Sequence, residues 1–387
     1  MASDKKKIIL HVFPSLELGG AQARFKTLLK HGSRRYKHIA IAMDGCFDAV
    51  KPPPAATQAA AKAAAADLDL ETLETVGPGI PKGSIFRAVR KCRKHLKQIR
   101  PDLLITYNWG TIEWSLANRL LPLCPMVHVQ DGFGHDELAV EQAGRRFTRR
   151  FAYQGCKKVI VPSRALEKLA RQHWHITDTK LAYIPNAIDI ERFARDTDQK
   201  TLSRYGLAGK HPLVGTVAGL RPEKNVGRLI EAFYLSTRDR PKARLVIIGD
   251  GIGMAALKML ADRIGLKESV VFTGSMEAPE QLLPALDIFA LSSDTEQMPL
   301  SVIEAMATGL PVAATDVGDV KDMVSTENKS FIGAISADAL GKNIDALLKD
   351  PETAKAVGEA NRQKARTFFA QDTMVSAYDT LYARILP

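Results

Sequence analysis

Ten short apolar runs, each followed by a stretch with helical spacing, recur from one end of the 387-residue chain to the other. In the first half they are "KIILHVF", "HIAIAM", "DLLITY", "MVHVQD" and "KVIVPS"; in the second, "LVGTVAG", "ARLVIIGD", "SVVFTG", "IFALSS" and "PVAATD". Strand and helix in alternation are the grammar of parallel sheets, because parallel neighbours need a crossover long enough to hold a helix. Two such blocks, in a chain too long for one ordinary core, predict an α/β protein of two Rossmann-like, doubly wound parallel-sheet domains. The junction is expected near "IPNAIDIERF", residues 184–193, which gives domains of 1–190 and 191–370. "KPPPAATQAAAKAAAADLDL", residues 51–70, is compositionally biased and reads as a loop followed by an Ala-rich exposed helix.

Composition narrows the classes. The 45% hydrophobic and 25% charged residues are those of a soluble globular protein, and no apolar run approaches the roughly 18 residues of a spanning helix. "MASDKKKIILHVF" reads as a first buried strand rather than a signal peptide. Cys46, Cys92, Cys124 and Cys156 form no CxxC pair, so free thiols in a reducing cytoplasm, without a metal cluster, are expected. The charge is lopsided: residues 1–186 hold 30 Lys plus Arg against 16 Asp plus Glu, whereas residues 187–387 hold 24 against 27. The first half should therefore meet an anionic partner, whether a membrane surface, an acidic acceptor or nucleic acid.

Open α/β sheets bind ligands outside the carboxyl ends of their strands, so the residues after each strand are the ones to inspect. In "PSLELGGAQ", Gly19 and Gly20 precede a helix from about Ala21 and allow close backbone approach to a phosphate; a simple turn needs them equally. In "VGTVAGLRPEKN", Gly219, Arg221 and Lys224 fall between a strand and the helix at Val226. A guanidinium and an ammonium beside helix N–H groups suit a diphosphate, although a surface pair would need no ligand. "SSDTEQMPLSVIEAMATGLPVAATD", residues 292–316, reads as loop, helix, turn and buried strand. Pro299 is expected in the first turn of a helix from Leu300 to Thr308, with Gly309 in the closing C′ position. Glu304, one turn in, could accept from the two hydroxyls of a ribose and Glu296 from a second sugar; a capping acid and a solvated helix acid are the plainer alternative. "LVIIGDGIGM" fails the nicotinamide fingerprint, since Met254 stands where its last glycine belongs and the next strand, "VVFTG", ends without an acid.

Together, "LELGG", "AGLRPEKN", "IIGDG", "VFTG" and E-x7-E followed by "AMATGLPVAATDVG" resemble the retaining glycosyltransferases of family 4, with the two-domain glycosyltransferase-B fold. The likeness spans the chain apart from about residues 48–82. It implies a nucleotide-sugar donor, a UDP-sugar favoured, on the second domain, a glycan or lipid-linked acceptor on the first, chemistry in a cleft between them, and a closing helix, 371–387, that crosses back onto the first domain. It further implies Glu304 on the donor ribose and Arg221 and Lys224 on the diphosphate, with backbone approach at Gly19, Gly20 and Gly219. Glu296 and the backbone of Met298, Pro299 and Leu300 meet the transferred sugar or distal phosphate, and the base lies near Phe272. Departures are Gln297, where many members have Gly, and Gly318-Asp319, where many have Gly-Gly; they bear on donor identity more than on donor binding. At the strand end of "PMVHVQDGFGHDE" the family commonly has a histidine; the best register puts Asp131 there as the candidate beside the anomeric carbon, leaving His128 as a packed core residue and His135 beyond.

Bond cleavage leaves added negative charge on the diphosphate, which Arg221, Lys224 and helix N–H groups can stabilise, so turnover without metal or other cofactor is expected. The D-x-D matches Asp67-Asp69 and Asp196-Asp198 follow no strand and read as chance. "SIFRAVRKCRKHLKQIRPD" places Ile85, Val89, Cys92, Leu96 and Ile99 on one helical stripe with seven Lys and Arg over the remainder. With "RRFTRR" and Lys5 to Lys7 this is a basic face for anionic lipid, or an ordinary solvated face, at the inner side of the cytoplasmic membrane. Nucleic acid fits less well, because no aromatics interleave with the charges. A non-catalytic sugar-nucleotide or membrane-binding protein, an epimerase and a phosphorylase stay open on the same fold; a phosphorylase would need a lysine motif that is not seen.

Overall fold

In the computed structural model, which describes residues 6–17, 19–50, 68–133, 137, 141–209 and 211–386, the apolar runs form two separate sheets with parallel ladders throughout. The first contains β1 (Lys7–Phe13), β2 (Tyr36–Ala42), β3 (Leu70–Thr72), β4 (Leu103–Tyr107), β5 (Met126–Val129), β6 (Lys158–Val161) and β7 (Leu181–Tyr183). Its order is β3-β2-β1-β4-β5-β6-β7. The second contains β8 (Leu213–Val217), β9 (Arg244–Ile248), β10 (Val270–Gly274), β11 (Ile288–Leu291), β12 (Val312–Thr315) and β13 (Ile332–Gly333), in the order β10-β9-β8-β11-β12-β13. Both start in the middle and wind outward in two directions. Each order therefore reverses once, between β1 and β4 and between β8 and β11, and a crevice opens at the carboxyl ends of those strands. Helices cover both faces, so β4, β5, β11 and β12 are buried along their whole length, as strands of parallel sheets are.

Residues up to Pro185, together with Asp372 onward, form one unit, and Asn186–Gln371 form the other. The division lies within residues 184–193, a few positions ahead of the expected domain bound at 190. Where the chain passes between units its two strands of backbone are tied to each other: the Ile188 amide donates to the Phe369 carbonyl (3.0 Å) and the Gln371 amide to the Ile188 carbonyl (2.9 Å). The closing helix starts at Gln371, as expected, after the helix Pro351–Phe368 has ended. That last helix, Gln371–Ile385, buries Tyr378 and Tyr382 within the first unit, and its Asp379 accepts from the Ser33 amide (3.1 Å).

The basic helix Ile85–Ile99 is present, capped by Ser84, whose hydroxyl accepts from the Arg87 amide. Its buried seam is Ala88, Cys92 and Leu96, spaced four apart, while Ile85 is exposed. The expected stripe is thus corrected at its first member: a helix lying on a sheet through small and medium side chains buries a narrow seam, and its first turn extends past the edge. The Ala-rich helix expected in 51–70 lies outside the described residues up to residue 67, as do Lys5, Asp67 and His135. Asp69 pairs with Lys6, and Asp198 caps the helix Gln199–Arg204.

Candidate functional site

The loops leaving β8 and β11 flank the reversal point of the second sheet and are stitched to each other. The Asp294 amide donates to the Glu223 carbonyl (2.9 Å), and the Ser292 hydroxyl to the Lys224 carbonyl (3.1 Å). Arg228, in the first turn of the helix Val226–Ser236, donates to the Ser292 carbonyl (2.7 Å) and the Asp294 carboxylate (2.6 Å). Asn225 caps that helix in a left-handed conformation while its amide reaches Asp294. This lattice delivers Lys224 to Glu296, with Nζ 2.5 Å from Oε1, and the same oxygen accepts from the Ser293 hydroxyl at 2.7 Å. Arg221 is turned toward Glu223 (3.2 Å), with 60% of its side chain in solvent, so it can swing onto a ligand.

Pro299 is the N-cap of the helix Leu300–Thr308 rather than a member of its first turn, since its ψ of 124° is extended. The expectation is corrected by one position. The Leu300 and Ser301 amides have no acceptor among the described residues, which leaves a positive helix end beside Lys224 and Glu296. Asn186 fixes the approach to this end by donating from Nδ2 to the Met298 carbonyl (2.9 Å). One turn further, Glu304 is half-buried, and its carboxylate makes no hydrogen bond or ion pair among the described residues. Burial pushes it up to about 7, against the pull of the nearby Arg192 guanidinium and with the push of Glu280. Those two neighbours are engaged with each other, Arg192 Nε lying 2.8 Å from Glu280 Oε1.

Gly318 keeps the glycine of the expected Gly-Gly pair, the departure there being Asp319. At φ +54° it lies so close to the loop that a Cβ there would stand 2.3 Å from the Glu296 carbonyl oxygen, while the next amide, Asp319, donates to the Gln297 carbonyl (3.0 Å). Glycine is required on both counts, of space and of backbone angle. G318A is expected to lower unfolding stability in urea by about 1–3 kcal/mol and to weaken nucleotide binding by displacing Glu296. Gly249, at φ +143°, similarly lets the end of β9 approach the Ala218 carbonyl, next to Gly219.

Gly219, Arg221, Lys224, Glu296, Met298, Pro299, Leu300 and Glu304 thus share the carboxyl edge of the second sheet. Phe272 lies partway along the edge strand β10, its ring under the Lys258 ammonium (5.7 Å) and against the helix Met254–Arg263; only the end of β10, at Gly274, reaches that edge. Arg228, Asn225, Ser293, Asn186 and Arg192 escaped the sequence reading. Only Arg228 left a trace, as a charge within the apolar "VGRLIEAF".

The remaining candidates stand in the first unit. Gly19 caps the helix Gly20–His31 after β1. Asp131 follows β5 and is held by Arg24, whose Nη1 and Nη2 lie 2.7 and 2.8 Å from its two oxygens, while its amide donates to Asn108 Oδ1 (2.8 Å). His128 is a core side chain: it stacks on Tyr153 (3.8 Å between rings), contacts Thr106 and Gln130, and burial pushes it down to about 3. Beyond Asp131 the chain is anchored by a cage invisible in the sequence. Arg149, fully buried among Trp109, Phe133 and Trp174, grips Glu137 with both terminal nitrogens and reaches Glu141 (2.7 Å), which also accepts from the Trp174 indole (2.7 Å).

Comparison with known proteins follows the same division of the chain. Residues 198–364 match the model of the glycosyl transferases group 1, and residues 18–192 that of glycosyltransferase family 4. A GDP-mannose-dependent alpha-(1-6)-phosphatidylinositol monomannoside mannosyltransferase of Mycolicibacterium smegmatis is 33% identical over 199 residues, 48% of this chain and 51% of that one. The Escherichia coli UDP-Gal:alpha-D-GlcNAc-diphosphoundecaprenol alpha-1,3-galactosyltransferase is 27% identical over 264 residues, covering 66% and 68%. The chain spans about half the length of the first of these relatives. Among solved structures, Anabaena HepE in complex with UDP superposes with a TM-score of 0.75 at 20% identity, over 97% of this chain and 99% of that one. WaaG, a glycosyltransferase involved in lipopolysaccharide biosynthesis, gives 0.70 at 16% identity, over 96% and 99%.

Proposed function

The chain belongs to the glycosyl transferases of group 1 and family 4, with their glycosyltransferase-B fold, and from that premise we propose that it moves a sugar from a nucleotide diphosphate, a UDP-sugar favoured, to a glycan or lipid-linked acceptor with retention of configuration. The observation that carries this reading is the half-buried carboxylate of Glu304, unpartnered among the described residues, one turn inside a helix whose free amides open beside Lys224. A half-buried carboxylate that no protein group engages is open to a ligand that donates hydrogen bonds to it. A ribose offers two hydroxyls at the right place. The diphosphate attached to it then falls on the Leu300 and Ser301 amides, with Lys224 and Arg221 on its free oxygens.

On this reading the residues divide the chemistry. As the anomeric bond lengthens, charge gathers on the β-phosphate, and Lys224, Arg221 and the helix end hold it without being rearranged at that moment. Glu296, sharing its oxygen with Lys224 and Ser293, fixes the ammonium in place and presents its other oxygen to the hydroxyls of the transferred sugar. These fixed charges take the part a divalent metal plays elsewhere, so turnover without metal is part of the proposal. Asp131, on the first unit, is the candidate for the acceptor side of the reaction. The relatives' names include both GDP-mannose and UDP-Gal, and the preference for a UDP-sugar rests on the fold neighbour that holds UDP.

A thermal-shift screen of UDP-, GDP- and ADP-sugars in the presence of a chelator tests this directly. One donor is expected to raise the melting temperature, and the rise is expected to vanish in Glu304→Ala and shrink in Arg221→Ala. Equal shifts in parent and variants would overturn the donor site. Binding with neither hydrolysis nor transfer to any acceptor would favour a non-catalytic binding protein instead.

A further inference from the structure

The helix Ala143–Tyr153 reads "AGRRFTRRFAY": four arginines, no acid, and three aromatic residues. Arg149 and Tyr153 face inward, but Phe147 and Phe151, four residues apart, are 72% and 41% exposed. Large aromatic side chains held in water on the same face of a helix mark a surface that meets something apolar. The patch continues past the helix. The Arg119 guanidinium lies over the Phe151 ring (5.3 Å), and beyond it Leu120 and Leu121 are 59% and 62% exposed. Arg146 and Arg150 flank the two phenylalanines at the same four-residue spacing, exposed and with no ion pair among the described residues. Beside them is a pocket of ≈ 350 Å³ walled by Arg146, Phe147, Arg150, His173 and His175. Glu141 contacts His173 of this pocket (3.2 Å) and is already compensated by the buried Arg149.

We propose that this pocket and the paired phenylalanines dock the first unit on an anionic phospholipid bilayer, the basic side chains taking a headgroup phosphate while Phe147 and Phe151 enter the acyl boundary. Charge complementarity selects the occupant. A cluster of arginine and histidine around a pocket of headgroup size suits a phosphodiester, and an aromatic pair on the same helix face suits a ligand with an apolar side next to its charge. A soluble phosphate would leave the phenylalanines unused. No helix among the described residues is long and apolar enough to cross a membrane, so the contact is peripheral. It does not depend on the donor reading.

Vesicle flotation with the full chain tests it, using phosphatidylcholine vesicles with and without phosphatidylglycerol. The protein is expected to float with the anionic vesicles and not with phosphatidylcholine alone. F147S/F151S and R146Q/R150Q, all at exposed positions and with unchanged circular dichroism, are each expected to lower partitioning about tenfold. Raised salt should weaken the parent and leave R146Q/R150Q little changed. Glu304→Ala should float like the parent, which separates this result from the fate of the donor site. Undiminished flotation of F147S/F151S, or equal affinity for neutral vesicles, would overturn the proposal. So would tighter binding to a polyuridine RNA.

Discussion

Glu304→Gln is expected to make the protein more stable above neutral pH and nearly blind to its donor. Burial lifts the Glu304 carboxyl from 4.5 to about 7, so the folded protein holds it protonated where the unfolded chain ionises it. Below about pH 4.5 the group is neutral in both states and costs nothing; as pH rises to about 7 the cost grows to about 3 kcal/mol at most, and stays there. The glutamine removes that cost, so its melting temperature should exceed the parent's by several degrees at about pH 8 and match it at about pH 4.5. Donor affinity should move the other way, falling about a hundredfold with loss of two charge-assisted hydrogen bonds. In the parent, nucleotide binding should release a proton below about pH 7, and Kd should rise up to tenfold per further pH unit of acidification. Calorimetry in buffers of different ionisation enthalpy reads that proton. Damage to folding would lower stability and affinity together, and a solvated surface acid would change neither.

Lys224→Ala is expected to cost about 10²–10³ in the first-order rate of donor cleavage, the loss typical of removing one group aimed at developing negative charge. Nucleotide affinity should fall less, because the Leu300 and Ser301 amides still meet the diphosphate and Glu304 the ribose. The variant also frees Glu296, which keeps only the Ser293 hydroxyl on its inner oxygen. Lys224→Arg should recover only part of the rate, since the longer planar guanidinium cannot occupy the 2.5 Å contact with Glu296 and reach the same phosphate oxygen. Single-turnover measurement with excess enzyme separates cleavage from binding. A rate unchanged in Lys224→Ala would remove the lysine from the leaving-group site.

Much of this was legible in the chain because parallel strands announce themselves as apolar runs and their ligands gather at one end of them. "PLSVIEAMATGLP" carried both ends of the helix Leu300–Thr308, Gly309 adopting the left-handed closing angle of +85° and the helix starting at Leu300. What escaped depends on contacts between residues far apart in sequence. Arg228 and Asp294 are separated by 66 positions, Asn186 and Met298 by 112, and no local pattern pairs them. Beside the departure at Asp319, Gly318 keeps the pattern's glycine, and only the approach of the Glu296 carbonyl shows why it stays there. The register of the basic helix was misread at Ile85, because spacing alone does not tell where a helix overhangs its sheet. The phenylalanines of "RRFTRR" and the following "FAY" do interleave with the arginines, against the expectation that no aromatics accompany these charges, and their exposure is a property of the neighbours rather than of the letters.

The most direct measurement is a crystal structure grown with whichever nucleotide diphosphate shifts the melting temperature most. Both ribose hydroxyls are expected within hydrogen-bond reach of Glu304, with the terminal phosphate on Lys224 and on the Leu300 and Ser301 amides of the second unit. A nucleotide seated on the first unit, or one that leaves the Glu304 carboxylate without a partner, would contradict the assignment.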